Sequence, residues 1–178
     1  MVGTQTKLKY EQACDLFGDD IGELVASLLI MDEPQSLHRR KFLSHHSKID
    51  LSILDKWILT NIGLPEWVSP HLNVKLSYCN EIQKLVIAEY DEEFVFIEQG
   101  KVFLGNKHTK ILLNSNLMNF LKSIFMYNIM IEQAILIFGS EAFVNKQIPA
   151  FLSDCFINLL KYIDESTVDT WVELTELN

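Results

Sequence analysis

Cysteine is scarce in this sequence and poorly placed for either staples or metal. Cys14, Cys79 and Cys155 are odd in number and far apart, with no CxxC pair. Such spacing argues against a disulfide framework and a zinc ribbon, and it fits a reducing compartment. Glycine is also sparse, at seven residues. None belongs to a GxGxxG or Walker pattern, so no phosphate-cradling loop is expected. A GxSxG nucleophile elbow is missing as well. Basic clusters are nearly absent, Arg39-Arg40-Lys41 being the single run, and three such residues read as a solvated helix face.

The remaining candidates for chemistry are weak. His38, His45 and His46 invite a metal reading, but adjacent histidines on a helix point about 100° apart and no HExxH spacing occurs. They read as surface or capping side chains. Cys79 lies in an expected loop with no local group to activate it. The carboxylate pair Asp91 and Glu93 sits in an exposed turn, where nothing would raise a pKa for general-acid work. By elimination the chain reads as a binding protein, with no catalytic residues, no cofactor and no metal.

The N-terminal stretch MVGTQTKLKYEQ has no apolar signal core, so the expectation is a cytoplasmic protein. The most apolar segment, Leu117 to Phe138, carries Asn119, Lys122, Asn128, Glu132 and Gln133 through its middle. Burying these in lipid is costly, so the segment reads as a core helix and not as a membrane span.

What the sequence does have is a dense block of strand-like runs. Leu85-Val86-Ile87, Phe94 to Ile97, Val102-Phe103-Leu104 and Ile111-Leu112-Leu113 are rich in β-branched and aromatic residues. The links between them are too short for crossover helices, which predicts an antiparallel meander. The flanks read as helical. Helices are expected over 7–17, stopped by Gly18, and from Asp19 to about Leu29. Others are expected over 35–46, and from an Asp50 cap to Ile62. Beyond the sheet, Asn114 and Ser115 are expected to cap a helix over 116–138 whose core side includes Ile135 and Phe138. A short helical piece to Lys146 follows. Pro149 opens a helix carrying Phe151, Phe156, Leu159 and Leu160, and a Ser166/Asp169 pair caps a last one with Trp171, Leu174 and Leu177.

The predicted fold class is therefore α+β: a mainly antiparallel curved sheet of about four or more strands, spanning roughly 74–113, covered by N-terminal and C-terminal helices. A single domain is expected over 1–178, helical over 1–62, sheet over 63–113 and helical over 114–178. The prolines of Gly63-Leu64-Pro65-Glu66-Trp67-Val68-Ser69-Pro70 prevent a continuous helix there. Trp67 reads as a plug between layers or, alternatively, as an exposed partner anchor.

Net charge is −9, and residues 132–178 hold eight acids against Lys146 and Lys161, a balance of −6. An acidic chain without basic patches is a poor direct ligand for nucleic acid and a natural partner for a basic protein. Two acidic groups stand out as partner contacts. The first is Glu89, Asp91, Glu92, Glu93 and Glu98, around the first hairpin. The second is Asp164, Glu165, Asp169 and Glu173, near the C-terminus.

The order of features resembles the SUKH superfamily over about 57–178. The carrying motifs are Gly63-Leu64-Pro65-Glu66, the strand Leu85 to Ala88, Ile97-Glu98-Gln99-Gly100-Lys101-Val102-Phe103, Asn114-Ser115-Asn116-Leu117 leading into Phe120-Leu121, and the Asp-rich end with Trp171. Ala88 stands where many members have glycine after the isoleucine of the first long strand, and the N-terminal 50 residues match only loosely. The resemblance implies an immunity protein that blocks a cognate bacterial toxin, often a nuclease or nucleic-acid deaminase, by tight binding. A non-toxin adaptor or regulatory domain of the same fold is the alternative.

Overall fold

In a computed structural model the described residues are 4–30, 40–44, 49–65, 72–140 and 148–177. The chain divides into two compact units, Met1–Ser77 and Tyr78–Asn178.

The first unit opens with two helices, α1 (Thr4–Phe17) and α2 (Asp19–Ile30). Gly18 adopts φ 94° between them and its N–H reaches the Cys14 carbonyl at 2.9 Å. Asp19 and Asp20 stand in the first turn of α2, where the helix dipole favours negative charge. A two-residue strand, β1 (Arg40–Lys41), pairs antiparallel with β2 (Leu64–Pro65). The helix expected over 35–46 is thus replaced, at Arg40 and Lys41, by a strand bridge. Gly63 permits it: φ is 71°, and a Cβ there would sit 2.6 Å from the Lys41 carbonyl oxygen. Between the two strands runs α3 (Ile53–Asn61). Its N-cap is Ser52, which accepts the Asp55 N–H at 3.0 Å. The expected cap, Asp50, lies two residues too early. The core of this unit includes Ala13, Val25, Leu43, Ile58, Leu59, Ile62 and Leu64, and Phe17 meets Trp57 edge-on at 5.5 Å.

The fold is α+β, with a five-stranded open antiparallel sheet in sequential order: β3 (Leu72–Cys79), β4 (Lys84–Tyr90), β5 (Glu93–Glu98), β6 (Lys101–Gly105) and β7 (Lys110–Asn114). The four predicted runs are β4 to β7. Strand β3 falls largely within the expected 74–113 sheet but is not one of the four apolar runs, because its apolar residues Leu72, Val74, Leu76 and Tyr78 alternate with polar ones. Register pairs Phe96 with Phe103 and Val95 with Leu104, so alternate residues of β5 serve opposite faces.

In the second unit α4 (Leu117–Phe138), α5 (Ala150–Asp164), a 3-10 turn (Glu165–Thr167) and α6 (Val168–Thr175) follow the sheet. Helix α4 packs on β6, β7 and α5, while α6 packs on β7. Phe120, Phe156 and Trp171 meet at centroid distances of 6.2 and 6.4 Å. Among the described residues α4 is the one helix long and apolar enough to cross a membrane, and 44 % of its most apolar window is buried.

Several helix details depart from the expectation. Asn116, not Asn114 or Ser115, caps α4 by accepting the Asn119 N–H at 2.8 Å. Burial along α4 ends at Ala134, and Ile135 to Phe138 are all exposed. In α5 the inner stripe is Ser153, Phe156, Leu160 and Asp164, leaving Phe151 and Leu159 outside. Asp164 takes an inner position because its carboxylate has hydrogen-bonding work at the helix end. The Ser166/Asp169 cap does not form, since Ser166 Oγ donates to Asp164 Oδ1 at 3.0 Å and α6 begins at Val168 without a side-chain cap. The helical piece to Lys146 lies outside the described residues.

Candidate functional site

The two predicted acidic groups are rearranged by the fold. The tight β4–β5 turn at Asp91–Glu92 places Glu89, Asp91, Glu92 and Glu93 at one end of the sheet, with Tyr90 paired to Glu93. Asp91 adopts φ 50°, a left-handed conformation that aspartate tolerates better than most residues. Glu98 belongs elsewhere. It ends β5, and five residues at about 3.3 Å each put it about 17 Å from Glu93. That is about two screening lengths at physiological salt.

From the C-terminal group, Glu173 comes to the hairpin. Tyr90 Oη donates to the Leu174 carbonyl at 3.2 Å, tying the end of β4 to α6. The phenol is pushed up from its ordinary pKa by burial and then by Asp91, Glu176, Glu173 and Glu93. One tyrosine thus feels acids from both segments, 80 residues apart in sequence, and they form one negative surface. Glu176 was not among the candidates. It follows α6 in a left-handed conformation at φ 52°, and its acidity alone could have drawn notice. Glu165 and Asp169 are exposed on the 3-10 turn and α6.

Asp164 is not a surface contact. It is 9 % exposed, and its Oδ2 accepts the Ser115 N–H at 2.7 Å and the Asn119 amide at 3.4 Å. Burial alone would raise its pKa, but hydrogen bonds from Ser115, Ser166 and Asn119 outweigh that and hold the carboxyl below its ordinary value. The same network reaches Asn114, whose amide stands 3.5 Å from Asp164 and 3.4 Å from Ser123 Oγ. Trp171 Nε1 donates to Asn114 Oδ1 at 3.0 Å. The Asn114-Ser115-Asn116 segment and the Trp171 segment, read separately in the sequence, meet here as a structural latch.

At the far end of β5, Lys84 and Lys110 both bind the Glu98 carboxylate, Lys84 at 2.9 Å. Those two hydrogen bonds, Lys110's first, hold the Glu98 carboxyl below its ordinary value. Its charge is therefore paired with two lysines, and Glu98 stands apart from the other acids of its group.

Trp67, His38, His45 and His46 lie outside the described residues. Among the described residues no cluster of three or more His, Cys, Asp or Glu side chains could hold a metal ion. Cys14 and Cys79 are half-buried and Cys155 is exposed. Comparisons with protein-family models, curated proteins and solved structures gave no match.

Proposed function

We propose that this chain is a cytoplasmic immunity protein of SUKH type, which neutralises a toxin by docking the acidic surface around Tyr90 onto the toxin's basic active-site cleft. The observation that carries the reading is the convergence of Asp91, Glu93, Glu173 and Glu176 on the Tyr90 hydroxyl. Toxins that act on nucleic acid need basic clefts to hold phosphates. An acidic surface on a hairpin tied to a helix end by the Tyr90–Leu174 hydrogen bond complements such a cleft, speeds encounter and rejects acidic partners. Glu92, Glu165 and Asp169 extend the negative field at its rim. The contact requires no catalysis by the chain and no cofactor.

The test is co-purification of the tagged chain with the toxin domain encoded beside its gene, followed by charge reversal. Asp91→Lys, Glu93→Lys and Glu173→Lys together weaken the complex by at least about tenfold and flatten its salt dependence. Glu98→Lys leaves toxin affinity nearly unchanged. Recovery of a housekeeping partner alone favours an adaptor role for the same fold. Unchanged toxin affinity in the triple variant overturns the acidic-docking reading.

A further inference from the structure

The second unit contains an open cavity of about 740 Å³ at the Glu98 end of the sheet. This is within the usual range for small-ligand sites, roughly 300–1,000 Å³. Its walls are the Asn80–Gln83 turn between β3 and β4 and the Asn106–Thr109 turn between β6 and β7, and its floor includes Phe96 and Glu98 on β5.

The second of these walls is held in shape by its own hydrogen bonds, and the first turns at a left-handed residue. Gln83 adopts φ 54°. In the opposite wall Asn106 N–H reaches the Thr109 carbonyl at 2.8 Å, and Asn106 Oδ1 accepts the N–H groups of His108 and Thr109 at 2.9 and 3.1 Å. Gly105 closes this turn at φ 153°, where a Cβ would lie 2.2 Å from the Thr109 carbonyl oxygen. A wall fixed before binding pays little ordering entropy when the cavity is filled.

Its charge runs against that of the chain. Lys84, Lys107 and Lys110 line it against Glu81 and Glu98, a local balance of +1 in a protein of net charge −9. Lys84 and Lys110 converge on one carboxylate, which places their ammonium groups a few ångströms apart. Each ammonium carries three donors, so the contact with Glu98 leaves others available. Their side chains are 35 % and 46 % exposed. Lys110 also lies over the Phe103 ring at 4.7 Å, and that ring stacks on Phe96, which fixes where the cation points.

We propose that this cavity binds small organic anions, with a phosphate or carboxylate group held by Lys84 and Lys110 and an apolar body against Ile82, above a floor closed by the buried Phe96. Glu98 then acts as the resident carboxylate: it keeps the two cations together and competes with the ligand for them. The site lies at the opposite end of β5 from the acidic surface and stands whether or not that surface binds a toxin.

The experiment is an amide-shift titration of the full chain with phenyl phosphate, inorganic phosphate and phenol. Phenyl phosphate gives saturable shifts confined to the amides of 80–84 and 106–110; phosphate binds the same place more weakly, and phenol does not bind. Lys84→Gln with Lys110→Gln lowers phenyl phosphate affinity by at least about tenfold, as expected for losing charged hydrogen bonds. Glu98→Gln raises it by several fold, because the competing charge is gone while the shape remains. That gain separates a ligand site from a purely structural ion-pair cluster, in which Glu98→Gln lowers thermal stability and leaves affinity unchanged. The proposal is overturned by that outcome, by shifts that survive the double lysine variant, or by no saturable shift up to about 10 mM, where any binding free energy would be below about 3 kcal/mol.

Discussion

Trp171 donates its indole N–H to the side-chain oxygen of Asn114 at 3.0 Å, across 57 residues of sequence. The ring is 1 % exposed and the asparagine fully buried, so neither group has water as an alternative partner. Among the described residues no buried side-chain nitrogen or oxygen lacks a hydrogen bond. Removing either partner therefore exposes the cost of an orphaned polar group. Asn114→Ala should lower the unfolding free energy by about 2–3 kcal/mol. Trp171→Phe should cost at least as much, since it also leaves a cavity. Urea unfolding followed by far-UV circular dichroism reads both, and losses below about 0.5 kcal/mol would remove the latch from the account.

Asp164 gives that latch its pH dependence. Its carboxyl is held below the ordinary value in the folded state. The stability it supplies is fully present above the unfolded-state pKa of about 4 and is lost as pH falls through the folded one. Asp164→Asn should be less stable at pH 7 by about 2 kcal/mol, the scale of hydrogen bonds to a charged group. The gap between the variant and the parent should narrow as pH falls below about 4. A gap that stays constant from pH 7 to pH 3 would show that the charge of Asp164 plays no part.

Strands β4 to β7 were legible in the sequence because each is a short β-branched or aromatic run closed by a turn too tight for anything but a hairpin. Strand β3 carries a different signal, Leu72, Val74, Leu76 and Tyr78 alternating with Asn73, Lys75 and Ser77, which a search for continuous apolar runs passes over. Arg40 and Lys41 look helical from local charge, and only the Gly63 turn, distant in sequence, makes them a strand. The acidic site was half legible. Charge marks Asp91, Glu93 and Glu173 in the sequence, but their meeting at Tyr90 depends on α6 packing on β7. The different fates of Glu98 and Asp164 were illegible for one reason: their partners are far along the chain. Lys110 lies 12 residues from Glu98 and Ser115 lies 49 from Asp164, beyond the reach of any local pattern.

Ser52 tests the first unit on its own. Its hydroxyl satisfies the Asp55 N–H at the start of α3. Ser52→Ala should cost about 1 kcal/mol, the usual effect of removing an N-cap, and Ser52→Asp should restore most of it. Failure of aspartate to rescue would mean that the serine acts by some means other than capping.

Gly105 tests the turn that walls the cavity. Its φ of 153° and the 2.2 Å approach of the Thr109 carbonyl leave no room for a Cβ. Gly105→Ala should lower stability by more than about 1 kcal/mol, because the substitution cannot be relieved by moving a flexible side chain. The largest amide-shift changes should fall in 105–110. A neutral Gly105→Ala would contradict the tightness of this turn.

Tyr127 lies buried against Phe156, at 5.8 Å between ring centroids. Its pKa is pushed up to about 12 by burial and then by the nearby Tyr90 and Glu176. The unfolded chain releases this proton near pH 10, so folding is favoured by the neutral phenol. That contribution is intact below pH 10, is lost at about 1.4 kcal/mol per pH unit as pH rises toward about 12, and changes no further beyond it. Tyr127→Phe removes the ionisable group, so its stability should fall less steeply than the parent's over this interval. Absorbance titration at the tyrosinate band, with circular dichroism followed in parallel, should show the last of the five phenols ionising near pH 12. That step should be missing in Tyr127→Phe. If every phenol of the folded parent ionises by about pH 11, Tyr127 is better hydrated than its packing implies.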